Sequence, residues 1–247
     1  INIPSSVTSL GEECFAYCSS LASINIPSSV TSLGYSCFYG CSSLTSINIP
    51  SSVTSLGEKC FDGCSSLTSI VVDAGNSVYD SRENCNAVIE TESNTMICGC
   101  AGTVIPSSVT SLGEWCFYGC SSLTSINIPS SVKSLGESCF SNCSSLKTVT
   151  CEIPAPIGDN SIFTYAPINE ATLYVPEASL NSYKTTSPWS DFGTILAIKS
   201  SGIETNTVGT SATVDAIYNL EGKRNGGIKS GMNILRMSNG TTRKIMK

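Results

Sequence analysis

The chain contains no histidine. That removes Ser–His–Asp and Cys–His nucleophile pairs, His-ligated zinc and the commonest general base. Charge is also scarce: Asp, Glu, Lys and Arg make up 13% of the residues, low for a globular domain. Ser, Thr, Asn and Gly fill the surface instead. No apolar run approaches the ~18 residues that a membrane-spanning helix needs. The net charge of −6 leaves no basic footprint for phosphate, so nucleic acid is not expected as a partner. Asp and Glu total 19, and most are scattered singly in variable positions. The chain therefore reads as non-enzymatic, with no cofactor and no metal.

What is present is a repeat. IPSSVTSLG occurs at 3–11, 26–34, 49–57 and 105–113, and IPSSVKSLG at 128–136, with a step of 23 residues inside each block. A fixed period of this size marks a solenoid, in which no unit buries its apolar face alone and each stacks on its neighbours. Leading into the unit at 24–46, Leu21, Ile24 and Ile26 are apolar with Ser23 and Asn25 between them, which predicts a half-buried strand. Pro27 cannot donate to a ladder and ends it. Val30 and Leu33 return to the core, and Gly34 breaks that second stretch. Cys37, Phe38 and Cys41 then fall at i, i+1 and i+4, which predicts one helical turn facing inward. Stacking brings Phe15, Phe38, Phe61, Phe117 and Phe140 into one ladder, and Val7, Val30, Val53, Val109 and Val132 into another.

These residues carry a family resemblance. L-x-x-I-x-I at Leu21–Ile26 and Leu44–Ile49 fits the leucine-rich repeat core, although Ser29 and Ser52 stand where that pattern has Asn or Cys. The whole unit, Ile-Pro-x-x-Val-x-x-Leu-Gly followed by Phe-x-x-Cys-x-x-Leu, resembles the BspA-like leucine-rich repeats of bacterial cell-surface proteins over about residues 1–200. The resemblance implies a right-handed solenoid, mainly β with short helical turns. It also implies an extracellular or outer-surface location and, in some members, adhesion to host proteins or other cells. Residue 1 already lies inside a repeat, so a signal sequence is expected upstream.

The solenoid is placed at 1–148, with a long variant coil at 70–102 where CNAVIET and TMICGC read as a hairpin joined by ESN. Degenerate repeats and a cap follow at 149–200, with Trp189 as the plug. A Gly/Ser/Thr-rich linker is placed at 201–212 and a small β-rich module at 213–247, with strands at AIYNL and MNILRM and a hairpin turn at Asn239–Gly240. That module resembles the C-terminal modules of secreted Bacteroidetes proteins, including type IX sorting domains. Gly231-Met232-Asn233 departs from their usual Gly-Leu/Ile-Tyr.

Ten of the fourteen cysteines follow the period as five C-x-x-x-C pairs flanking the core Phe. They lack C-x-x-C knuckle spacing, so buried reduced ladders are expected. Cys85, Cys98 and Cys100 lie off the ladder. In a hairpin centred near Ser93, Cys85 could face Cys98 or Cys100, and Cys85–Cys100 is the candidate disulfide.

Comparison of the copies with one another locates the candidate binding surface. The outward Asn2, Asn25, Asn48 and Asn127 do not vary and suit a side-chain ladder. The positions around the predicted helical turn do vary, and they carry Tyr17, Tyr35, Tyr39, Trp115 and Tyr118 with carboxylates nearby. Exposed aromatics mark contact sites. The chain thus reads as a monomeric adhesion or binding protein for a host or bacterial surface protein or glycan. A structural spacer and a glycan-binding module are the alternatives.

Overall fold

The computed structural model describes residues 1–198 in full and, beyond them, the backbone of four strands. The chain divides into two compact units, Ile1–Ile198 and Lys199–Lys247. The linker expected at 201–212 and the Asn239–Gly240 turn lie outside the described residues.

The first unit is a β-solenoid. Ser46–Ile49 pairs in parallel with Ser69–Val72, placing Ile47 beside Ile70. Ser125–Ile128, Thr148–Cys151, Thr172–Val175 and Thr194–Ala197 form a second parallel run. Alternation decides which side faces in: in Ser46–Ile49 the two isoleucines are buried and Ser46 and Asn48 are exposed. A second, shorter line of strands, Ser9–Leu10, Ser32–Leu33 and Ser55–Leu56, is also parallel. The gap between turn and strand is bridged by Ser29 Oγ, which donates to Val7 O at 2.7 Å, and by Ser52 Oγ, which donates to Val30 O at 2.7 Å. These serines supply a coil-to-coil bond at the position where the repeat pattern has Asn or Cys.

The third side of each coil is the segment expected as a helical turn. It is built from successive i→i−3 bonds: Cys37 N–H to Gly34 O, Tyr39 N–H to Ser36 O and Cys41 N–H to Phe38 O. Ser36 at φ 50° and Gly40 at φ 67° are left-handed, so no helix propagates. The same two positions are left-handed in the other copies, at Glu13, Lys59, Trp115 and Ser138 and at Tyr17, Gly63, Gly119 and Asn142.

The phenylalanines stack nearly parallel, with ring centres 5.3 Å apart for Phe15–Phe38, 5.5 Å for Phe38–Phe61 and 5.0 Å for Phe117–Phe140. Phe163 extends the second stack at 5.5 Å. Val30, Val53, Val109 and Val132 are fully buried. The second cysteine of the pair ties coils together: Cys41, Cys64 and Cys143 each donate to the carbonyl of a ladder Phe one coil back, at 3.2 Å. The outward asparagines do not form one continuous stack. The backbones of Asn2 and Asn25 form a parallel bridge, whereas the side chains of Asn48 and Asn127 donate to Asp73 and Glu152.

In the long coil, Val88–Glu90 and Thr95–Cys98 form the expected antiparallel hairpin, and Tyr79–Asp80 adds to its edge. Arg82 fastens it, forking onto Asp80 at 2.6–3.0 Å and reaching Asn94 Oδ1 at 2.7 Å. The Cys85–Cys100 disulfide is not formed. Cys85 precedes the first hairpin strand and points at Ala87 O (3.9 Å), whereas Cys100 lies past the second and donates to Asn86 O (3.2 Å). All fourteen cysteines are free thiols. Cys14, on the first coil, is exposed, unlike most of its counterparts.

At the far end, Trp189 is buried edge-on to Phe163 (5.2 Å) and Tyr183 (5.3 Å), with its indole N–H on Ile157 O at 2.9 Å. Tyr183, on the short helix Leu180–Thr185, donates to Ile153 O at 3.0 Å. The second unit holds an antiparallel sheet in the order Arg224–Asn225, Val214–Tyr218, Met232–Met237, Thr242–Met246.

Candidate functional site

Successive turns are joined by three backbone hydrogen bonds. Between the first two, Glu13, Phe15 and Tyr17 donate to Tyr35, Cys37 and Tyr39; between the next two, Ser36, Phe38 and Gly40 donate to Glu58, Cys60 and Asp62. The third junction is different, because the long coil intervenes. Only Gly63 N–H reaches the next turn, at Tyr118 O, and that bond is long at 3.4 Å. Lys59 and Phe61 have no counterpart bond among the described residues, and Gly99 of the long coil donates to Cys116 O instead (2.8 Å). Leu56 N–H likewise leaves the strand ladder and donates to Tyr79 Oη at 3.2 Å.

The turns 57–64 and 113–120 therefore meet at one end and splay at the other. They touch at the glycines: a Cβ built on Gly119 would lie 3.1 Å from Gly63 Cα. Toward Lys59 they open into a cleft of about 270 Å³. Its rim carries Glu58, Lys59, Glu90, Glu114 and Trp115, and its floor carries Phe61, Asp62, Tyr79 and Cys98.

Asp62 is the unusual group. It occupies the repeat position held by Tyr39 one coil back and Tyr118 in the next turn, so neighbouring coils bury it. It is 8% exposed, and its Oδ2 has no hydrogen-bond partner. Burial raises its pKa to about 7, and the Lys59 ammonium offsets part of that rise. Lys59 Nζ lies 4.2 Å from the centre of the Trp115 ring, a cation–π contact across the cleft.

Burial pushes Cys98 and Cys120 well above the ordinary thiol range, Cys85 to about 11 and Cys143 to about 12, so each stays protonated at neutral pH. Among the described residues, no group of three His, Cys, Asp or Glu is placed to hold a metal ion.

The five aromatics expected at the binding surface all lie on turns. Tyr17 is 72% exposed and meets Tyr39 edge-on at 5.3 Å. Tyr35 is exposed, and Tyr39, Trp115 and Tyr118 are half-buried. Trp115 lines the cleft, whereas Tyr17, Tyr35, Tyr39 and Tyr118 do not. Sequence reasoning did not single out Lys59, Asp62 or Tyr79 as site residues, nor Tyr165, which is 82% exposed at the position equivalent to Tyr17. One signal was available for Asp62: it is the only carboxylate in its column, in the last copy before the period fails.

A family model described as BspA type Leucine rich repeat region, in six copies, matches residues 1–91 and 89–185. Among solved structures, a leucine rich cell surface protein from Faecalibacterium prausnitzii is 25% identical with a TM-score of 0.54, over 82% of this chain and 59% of that one. This chain thus spans less than two thirds of that protein's length. Leucine-rich repeat proteins from Bacteroides ovatus (22% identical, TM-score 0.46, 80% and 54% covered) and Eubacterium ventriosum (18%, 0.39, 79% and 71%) are also similar. No curated protein matches the chain.

Proposed function

The chain belongs to the BspA-type leucine-rich repeat family, and from that premise we propose that it is a non-enzymatic binding protein of the bacterial cell surface. It adheres to a host or neighbouring-cell macromolecule through the turn face of the solenoid. No helix among the described residues is long and apolar enough to cross a membrane. The cell-surface description of the F. prausnitzii protein supports placing this chain outside the cell.

One observation carries the reading: the coils repeat their core and strand residues but diversify the turn face. Inward positions keep Phe, Val and Cys, and in the copies that read INIP the outward strand position keeps Asn. Two turn columns instead vary, one holding Glu13, Ser36, Lys59, Trp115 and Ser138 and the other Ala16, Tyr39, Asp62, Tyr118 and Ser141. Packing fixes the first two sets and leaves the third free. Aromatic anchors dominate contact energy, and truncating one at a hot spot costs about 2 kcal/mol or more. Outward asparagines exchange their hydrogen bonds with water for about 1 kcal/mol net.

The test is capture of surface proteins and glycans from host or bacterial cells on the immobilised chain, followed by binding of the captured partner to variants. Tyr39→Ala and Trp115→Ala should weaken binding while circular dichroism stays unchanged. Loss of binding in Asn25→Ala and Asn48→Ala, with the aromatic variants unaffected, would move the site to the strand face.

A further inference from the structure

We propose that the cleft between turns 57–64 and 113–120 is a receptor for one basic side chain, a lysine ammonium or arginine guanidinium, presented by a protein partner. The inference rests on the binding reading above and names the chemistry that one part of the turn face recognises.

Four observations converge on a cation. First, Asp62 lines the cleft, and its Oδ2, buried in the cleft wall, has no hydrogen-bond partner. A buried acceptor left unmade is costly, and a donor brought from outside recovers that cost. Second, the rim adds Glu58, Glu90 and Glu114 against the single cation Lys59. Third, the Trp115 face already attracts an ammonium, because Lys59 Nζ rests 4.2 Å from its centre. That contact shows what the indole face selects, and an incoming guanidinium can stack there as Lys59 swings to solvent. Fourth, the solenoid steers cations toward itself: through Ile198 it carries sixteen Asp and Glu against five Lys and Arg, a balance of −11.

The cleft also suits a peptide carrier. In the junctions after turns 11–18, 34–41 and 113–120, the N–H groups equivalent to those of Lys59 and Phe61 donate to a carbonyl of the next turn, and after turn 136–143 Phe140 does the same while Ser138 donates to Ser161 Oγ. Here that carbonyl is missing, so a partner's backbone C=O can take its place while its side chain reaches Asp62.

The titration of Asp62 supplies a linked signature. The groups facing it are Lys59 on its own turn, Tyr39 on the preceding turn, Cys98 on the long coil and Cys116 on the next turn. Only Lys59 is positively charged. A cation bound in the cleft favours the charged carboxylate and expels the Asp62 proton. Binding should therefore tighten several-fold between about pH 6 and pH 8.

The experiment titrates the full chain with three probes: N-acetyl-arginine methylamide, its lysine counterpart and the uncharged isostere N-acetyl-citrulline methylamide. Signals from Trp115 report occupancy. The arginine and lysine probes should bind about tenfold or more tighter than citrulline. Asp62→Asn should abolish both that preference and the pH dependence, and Trp115→Ala should weaken arginine about tenfold. If Asp62→Asn does not fold, the arginine-to-citrulline ratio on the unaltered chain still decides. Equal binding of citrulline and arginine overturns the inference, as does tighter binding at Trp115 by an uncharged monosaccharide panel. If no cation binds but a captured partner still depends on Tyr39 and Trp115, this inference fails and the turn-face reading survives. If cations bind as described while a captured partner ignores the turn aromatics, the turn-face reading fails instead.

Discussion

Lys59 and Trp115 are 56 positions apart in the chain, yet the Lys59 ammonium sits 4.2 Å from the Trp115 ring. They occupy the same repeat position, and both are left-handed, at φ 57° and 53°. The long coil leaves the wall of turns at this point, so two copies of the unit become neighbours there without its full hydrogen-bond ladder. The cleft is a consequence of that departure.

Loss of a ladder ring should be felt locally. Phe38 is fully buried between Phe15 and Phe61, so Phe38→Ala should destabilise the solenoid by about 3–5 kcal/mol. Phe61 stacks on Phe38 and borders the cleft on its other side, so Phe61→Ala should cost less and enlarge the cleft. Solenoid stability is largely nearest-neighbour. Hydrogen exchange in Phe38→Ala should therefore rise around coils 1–64 and much less beyond residue 130. A uniform rise along the chain would count against this.

The periodic thiols should be reduced. A thiol reagent should titrate Cys14 rapidly in the native protein and all fourteen cysteines in denaturant without reductant. A denatured count well below fourteen would show bridges that the structure lacks. Cys64→Ala removes a buried donor to Phe38 O and should cost about 1–2 kcal/mol. Cys64→Ser keeps a donor and should cost less.

Stability should fall as pH rises through the Asp62 range. Its folded pKa is raised to about 7 from an unfolded value of 3.8, so the folded state binds more protons between those limits. The cost of ionising it is absent below about pH 4, grows as pH rises and is complete above about pH 7, at most ~4 kcal/mol. Asp62→Asn should flatten that slope in urea unfolding at pH 5 and pH 8. An unchanged slope in the variant would mean that Asp62 does not titrate as described.

The turn glycines should resist side chains. Gly119 at φ 65° faces Gly63 at 3.1 Å from a built Cβ, so Gly119→Ala carries left-handed strain of about 1–2 kcal/mol plus a close contact. Asn142 stands at the equivalent position with φ 60°, and Asn142→Gly should be neutral or slightly stabilising by thermal melting.

The repeated half of the architecture was legible because identical spacing forces identical stacking. Phe15, Phe38 and Phe61 could be placed in one column from their period alone, and Ile47 and Ile49 could be turned inward from alternation. The turn was legible as compact but not as left-handed, because Ser36, Lys59 and Trp115 are not residues that announce a positive φ. The Cys85–Cys100 pairing failed because proximity across a hairpin does not fix where a side chain points. Each thiol points to a backbone carbonyl instead. The cleft was not legible because it arises where the period breaks: Asp62 reads as one more variable surface residue until the next coil closes over it.

Binding through the turn face is tested most directly by backbone hydrogen exchange of the full chain with and without its captured partner. Protection should concentrate in the turns 35–40, 58–63 and 114–119, with the outward strands Ser46–Ile49 and Ser125–Ile128 unchanged. Protection confined to those strands, with the turns exchanging as in the free protein, would overturn the turn-face reading.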